Sequence, residues 1–357
     1  MSAGSGLTAC SNIQARLDRL WNTEGAGSFR EPLPMLEFLL SDANKNGLQA
    51  EINGKGKTRT VDVVYYPRLS TSVVDSDQAR TCTASDTIDD CSAQYTIDTT
   101  VNEQAQFTFG LDDLDPICEP NQDWFAQRVM QHVDVVARKV AEKTASQLDA
   151  LRGEWNTHLN AVPQASLSAD RKTFNVRTTL AASGVDGMKP YALALQQIRR
   201  AVTMSNFGPA VGFGGLVIPD MYAAMIGSGG VNEQGYDLAA AARQYGFAAQ
   251  YDYAVAEQNS DHANKLWVMG VGANQLLQYT RYTGAFNEAS DDTHKMGVII
   301  DPMTGLEMDI SIKRDCETIH TVITATTKGV SLPSDIYGAT DDLSGANRFA
   351  LVDVDNS

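Results

Sequence analysis

Hydrophobic and polar positions along this chain alternate with a period that changes from segment to segment. The stretch Thr58-Arg59-Thr60-Val61-Asp62-Val63-Val64-Tyr65-Tyr66 is rich in β-branched and aromatic residues, and Tyr95 to Thr99 alternates likewise. Both patterns predict half-exposed strands. Between them, Ser70 to Ala93 is crowded with Asp, Ser and Thr. A loop longer than about 15 residues with no apolar core of its own is usually functional or ordered by a partner. A small β-subdomain is the competing reading, but few residues here supply it with a core. The expectation is one long projecting hairpin over residues 47–110.

The pattern then switches to a helical period. Asp115-Pro116 and Pro120 break the chain, and Asn121 or Asp123 can cap a helix beginning there. Phe125, Val129, Val133, Val136, Val140, Leu148, Leu151, Trp155 and Leu159 recur at spacings of three, four or, across Thr144, eight. Arg128, Lys139, Glu142 and Arg152 fall on other faces, so one apolar stripe runs along one helix. Unbroken, it covers about 35 residues and about 50 Å, with Gly153 placed to end or bend it. A coiled coil is the rival, but there is one such segment and its flanking charges are sparse.

Elsewhere the periods are shorter. Residues 1 to about 45 hold one short apolar run, Leu33 to Leu40, interrupted by Pro32 and Pro34. So little apolar content predicts an arm that is ordered by lying on a neighbouring surface. Thr173 to Arg177 reads as a strand, and Pro190 opens a helix, Tyr191 to Met204, with Leu193, Ile198, Ala201 and Val202 on its core side. A buried strand is expected at Gly214 to Pro219, then a short helix from Met221 to Ile226 capped by Asp220, and more helix at Asp237 to Arg243. Lys265 to Gly270 and Met296 to Ile300 read as strands, Asp301 to Gly305 as a turn. Met308 to Arg314 and Ile319 to Ala325 alternate as further strands. There is no internal repeat.

Composition narrows the class. With 357 residues, 43% hydrophobic and 20% charged, the chain is long enough for a sizeable core and is not compositionally disordered. No stretch approaches the roughly 20 apolar residues of a membrane span, and the start lacks a basic then apolar leader, so no membrane contact and a cytoplasmic product are expected. The formal net charge of −16 argues against nucleic acid as a direct ligand, because such binders neutralise phosphates with Lys and Arg. It suits either a merely soluble protein or a container wall that does not stick to DNA packed beside it.

Candidate chemistry is thin. Cys10, Cys82, Cys91, Cys118 and Cys316 show no CxxC spacing, and no pair of them sits near a His pair. That leaves no zinc set, and free thiols are expected, although Cys82 and Cys91 flank a short polar segment. Gly212-Phe213-Gly214-Gly215 precedes the expected strand and so lacks the dinucleotide-binding context. His132, His158, His262, His294 and His320 are scattered, with His132 beside the apolar stripe as a packing residue. Cys316 and His320 are a nucleophile and base on paper, but four apart on a strand they share a face without meeting. Asp112, Asp113 and Asp115 precede Pro116 with no glycine turn, which fits a solvated turn better than calcium. No catalytic, cofactor-binding or metal residue is therefore assigned, and no cofactor is expected.

The order of arm, long hairpin, very long helix and mixed region returning to long strands resembles the tailed-bacteriophage major capsid protein of the Hong Kong 97 type. Three stretches carry the resemblance further. The helix from Tyr191, then Gly215-Leu216-Val217-Ile218-Pro219 and the helix containing Tyr222, is similar to that family's A-domain. The strands around Met308 to Lys328 are similar to its closing P-domain strands, and Asn347 to Val352 to its last strand.

The resemblance implies an α+β fold divided as an N-terminal arm (1–46), an E-loop hairpin (47–110) and the spine helix with the first part of the P-domain (111–188). The A-domain (189–292), returning P-domain strands (293–330) and a C-terminal segment rejoining the A-domain (331–357) complete it. It implies a non-enzymatic head protein that self-assembles through pentamers and hexamers into an icosahedral shell around the genome. The implied partners are other copies of itself, a separate scaffolding protein, the portal and decoration proteins, with packaged DNA touched only by weak non-specific contact. The implied location is the virion, after synthesis in the host cytoplasm. An encapsulin-like bacterial nanocompartment shell is the alternative, and a hydrolase a more distant one. The family's crosslinking lysine is not carried over, because Lys55 and Lys57 sit at the hairpin base and its tip has none.

Overall fold

A computed structural model of the chain describes residues 18–20, 31–41, 44, 49–53, 58–65, 91–98, 101–110, 118–156, 159–160, 165–177, 190–205, 209–215, 248–258, 265–282, 289–290, 294–315, 318–331 and 349–355. In chain order its elements are α1 (Pro34–Leu40), β1 (Gln49–Asn53), β2 (Thr58–Tyr65), β3 (Cys91–Asp98), β4 (Glu103–Gly110), α2 (Cys118–Asp149), β5 (Ala165–Leu167) and β6 (Thr173–Arg177). They continue with α3 (Pro190–Met204), β7 (Ala210–Gly214), β8 (Ala248–Tyr251), α4 (Tyr253–Gln258), β9 (Lys265–Gly270) and β10 (Asn274–Tyr279). The last five are β11 (Ala289–Ser290), β12 (His294–Ile300), β13 (Glu307–Asp315), β14 (Thr318–Ser331) and β15 (Phe349–Asp355). The fold is α+β.

The first layer pair is α2 on a six-stranded sheet of order β10-β14-β13-β12-β11, with β4 also on β14. Alternation explains the packing. Met308, Ile310 and Ile312 of β13, with Ile319, Ile323 and Ala325 of β14, are buried with the α2 stripe, whereas Ser311, Lys313 and His320 are half or wholly exposed. Val129, Val133, Val136, Val140 and Leu148 fill the α2 side, interleaved with Ala137, Ala141 and Ala145, which let the helix approach closely. At Gly329 it comes so near that an added Cβ would lie 3.3 Å from Thr144 Cγ2. The 14 residues of β14 change partners midway, from β13 and β4 over 318–325 to β10 over 326–331.

The helix differs from its sequence reading at both ends. It spans 32 residues, about 48 Å, and starts at Cys118 rather than after Asn121. Pro120 is tolerated because the first turn has no intrahelical use for its N–H. The C-terminal end falls at Asp149, short of Gly153, so Leu151, Trp155 and Leu159 are not on the stripe. Leu151 is 39% exposed. Beyond it the Gly153 N–H donates to the Phe349 carbonyl at 2.8 Å, the Trp155 N–H to Arg171, and the Trp155 indole to the Leu351 carbonyl at 2.9 Å. Strand partners thus claim the backbone that another helical turn would have used.

The second sheet has order β5-β6-β15-β9-β7-β8, with β15–β6 and β7–β8 parallel and the other pairs antiparallel. It is covered on both faces, which is why Leu266-Trp267-Val268-Met269 and Phe349-Ala350-Leu351-Val352 are unbroken apolar runs. Trp267, Met269, Phe349 and Leu351 enter the α2 core. Leu266, Val268, Ala350 and Val352 enter a second core with Trp155, Leu159, Phe174, Val176, Ile198 and Ala201.

Several expectations agree with these elements: the strand at Thr173–Arg177, the helix to Met204, the strand at Lys265–Gly270 and the turn before β13. Others are corrected. A strand not expected, β7, covers Ala210–Gly214, so the Gly212–Gly214 run lies within a strand; the strand expected at Gly214 to Pro219 lies, beyond Gly215, outside the described residues. Residues 216–247, with the two helices expected there, lie outside the described residues. The segment read as part of an arm on a neighbouring surface is in part α1, whose Met35, Leu36, Leu39 and Leu40 are buried in this chain's own core with Leu33. Those apolar residues are few but fall on one helical face, with Pro34 at the first turn.

Candidate functional site

The hairpin is a separate three-stranded antiparallel sheet of order β1-β2-β3. β2 and β3 pair from Thr58↔Asp98 to Tyr65↔Cys91, as their alternation predicts. β1 adds a third strand by pairing Gln49↔Val64 through Asn53↔Thr60, which the sequence reading missed. Its Gln-Ala-Glu-Ile-Asn is too short and polar to announce itself. β4 lies within the range 47–110 yet leaves the hairpin and pairs with β14, from Thr318↔Gly110 to Ala325↔Glu103.

Side chains tie this small sheet to the body. The Tyr95 hydroxyl donates to the Ser331 carbonyl at 2.7 Å, Lys328 Nζ to the Thr96 carbonyl at 2.7 Å, and an Arg59 guanidinium nitrogen to the Tyr279 hydroxyl at 3.2 Å. Arg59 also lies over the Tyr279 ring, 5.4 Å from its centre. Val61 and Ile97 are buried. Among the described side chains of β2 and β3, Arg59 and Tyr95 make these anchors, and each partner is on β10 or β14. The polar segment proposed as the tip, and Cys82 with it, lies outside the described residues apart from the start of β3.

Among the described residues, those considered for chemistry form no metal-holding group. His132 packs its ring on Phe107, 4.5 Å between centres, with Nδ1 at 2.7 Å from the Arg128 carbonyl, so it is a packing residue. The exposed His320 ring sits between Thr108 Oγ1 at 2.9 Å and Thr318 Oγ1 at 3.2 Å. Cys316 and the Asp112, Asp113, Asp115 group lie outside the described residues, as do His158 and His262. His294 Nε2 is 2.8 Å from Ser311 Oγ. Among the described residues no group of three His, Cys, Asp or Glu side chains is placed to hold a metal.

Of the three aspartates buried among the described residues, Asp301 belongs to the expected turn, and Asp309 and Asp252 escaped the sequence reading. Asp309 accepts N–H bonds from Arg281 at 3.0 Å and Tyr282 at 3.3 Å, fixing that segment over the outer sheet face. Burial pushes its carboxyl above the ordinary range, against those N–H bonds. A polar cavity of about 290 Å³ opens beside it, lined by Asn102, Gln104, Arg281, Ser311 and Thr324 among others. The Ser311 hydroxyl on its wall is the one that lies 2.8 Å from His294 Nε2. The other carboxyl, Asp252, stands at the start of α4; an Asp directly before a short apolar run is the helix-cap signal that would have found it.

No family model matches the chain, and no curated protein does. Among solved structures it is similar to the mature capsid of bacteriophage PhiM1, at 9% identity over 85% of this chain and 83% of that one, with a TM-score of 0.42. It is similar to the capsid of Ralstonia phage GP4 at 12% identity, covering 84% and 87%, with a TM-score of 0.41. It is also similar to a structure from Mycobacterium phage Che8 at 10% identity, covering 85% and 91%, with a TM-score of 0.35. Among the described residues no helix is long and apolar enough to cross a membrane.

Proposed function

We propose that this chain is the major capsid protein of a tailed bacteriophage, a non-enzymatic subunit that self-assembles into an icosahedral shell. The observation that carries the reading is the hairpin sheet. Among the described residues it pairs its strands only within itself, and Arg59, Tyr95 and Thr96 tie it to β10 and β14 of the body. A β-sheet this small buries little of its own surface and is marginal alone, so contacts with another subunit are what make it worth keeping. The long α2 helix on its sheet supplies the rigid body from which it projects.

In this reading residues 1–46 are the N-terminal arm, its α1 end seated in the body, and 47–110 the E-loop. The remaining ranges serve as spine helix, P-domain, A-domain and C-terminal return, in a Hong Kong 97-type arrangement. The partners are neighbouring copies in pentamers and hexamers, with a separate scaffolding protein, a portal and decoration proteins. The polar tip lies across the spine and P-domain of an adjacent subunit, and the shell's acidity keeps contact with packaged DNA weak.

Negative-stain microscopy of the purified chain, with light scattering across a wide concentration range, tests this. Rings of five or six or closed shells are expected. A strictly monomeric species at every concentration overturns it.

A further inference from the structure

Asp252 lies between β8 and α4 and is wholly buried. Its Oδ2 accepts the N–H of Met35 at 2.8 Å, and its Oδ1 accepts the N–H of Val255 at 2.9 Å. Met35 is in the first turn of α1 and Val255 in the first turn of α4. A capping side chain ordinarily satisfies free N–H groups of one helix. Here one carboxyl serves two helices whose bonded residues are far apart in sequence, and so joins the N-terminal segment to the corner of the second sheet. The backbone reinforces the corner: the Asp252 N–H donates to the Gly214 carbonyl at 2.9 Å, and the Tyr253 N–H to the Pro32 carbonyl at 3.1 Å.

The surrounding charges do not neutralise it. Glu31 and Glu37 belong to the N-terminal segment, and Tyr251, Tyr253 and Glu257 flank Asp252 on its own stretch of chain. On α2, Arg138 is directed to Glu31 at 3.5 Å and to the Tyr253 ring at 5.7 Å. β7 contributes no titratable group, and Lys265 stands beyond it at the start of β9. Among the described residues no cation pairs with the Asp252 carboxyl.

We infer that Asp252 is a titratable latch for residues 32–41: protonated, it favours the seated segment, and ionised, it favours lifting of that segment off the body. Lifting returns the carboxyl to water. Seated, burial pushes it up to about 6 despite the N–H bonds that pull it down, whereas in water it returns toward 3.8. Because the seated value is the raised one, the contribution to seating is complete below about 3.8 and is lost as pH rises through about 6. The buried Met35, Leu36, Leu39 and Leu40 keep the segment seated for most of the time at any pH. The latch sets how often it opens.

Hydrogen exchange on the folded full-length chain reads this directly. Amides of residues 35–41 are followed from pH 4.5 to 7.5, corrected for intrinsic exchange rates and referenced to amides of β9 and β15. The opening equilibrium of the segment should rise roughly 30-fold across that range in the wild type and stay flat in Asp252→Asn. A wild-type opening independent of pH, or an equal slope in the variant, overturns the latch. Should Asp252→Asn not fold, carboxyl-carbon NMR titration of the wild type decides. A midpoint between about 5.5 and 6.5 supports the latch, and any midpoint below that window overturns it.

Discussion

The Tyr95 hydroxyl donates to the carbonyl of Ser331 at 2.7 Å, joining the middle of β3 to the last residue of β14. The bond fixes the angle at which the hairpin leaves the body, because Lys328 and Thr96 hold the neighbouring position on the same strands. Tyr95→Phe with Lys328→Ala should therefore cost the chain only about 1–2 kcal/mol, the usual worth of two partly exposed hydrogen bonds. Yield of assembled particles should fall much further than the melting temperature. Particle counts beside thermal unfolding check this, and an unchanged yield would mean that hairpin angle is not limiting.

Removing residues 67–89 and joining β2 to β3 through a short glycine turn leaves the Thr58↔Asp98 to Tyr65↔Cys91 ladder intact. The body should keep its melting temperature within a few degrees, since a segment so rich in Asp, Ser and Thr has little apolar surface to bury. Assembly should fail or give misshapen particles under microscopy. Outright unfolding would show that the segment completes a core, and would remove the main support for the shell reading.

At Gly329, space and not conformation decides. An added Cβ would meet Thr144 Cγ2 at 3.3 Å and Gln147 Oε1 at 3.4 Å, while the Gly329 N–H donates to that same Gln147 oxygen at 2.8 Å. Gly329→Val should push α2 off β14 and destabilise by about 1–3 kcal/mol, as overpacking does. Denaturant unfolding measures it, with Gly329→Ala expected to lose less.

A formal charge of −16 should leave the unassembled chain without measurable affinity for duplex DNA at physiological salt. Tight binding in a gel-shift assay, weakening steeply with added salt, would contradict the acidic-wall reading.

The sequence by itself determined the elements whose own side-chain period reports a buried face. The valine stripe of α2, the β2 and β3 alternation, Thr173–Arg177 and Lys265–Gly270 were all legible, because a helix or strand packed on one layer writes that layer's period into the chain. The candidate site was legible as a hairpin, but its third strand and its anchors on Tyr279, Lys328 and Ser331 were not. A period names a face without naming what covers it. Only the tertiary structure decided that α1 fills the chain's own core, that β4 leaves the hairpin for β14, and that α2 stops at Asp149 because β15 claims the backbone at Gly153. The shared carboxyl of Asp252 is the sharpest case: its sequence neighbours announce one helix cap, and the second helix it holds arrives from 217 residues away.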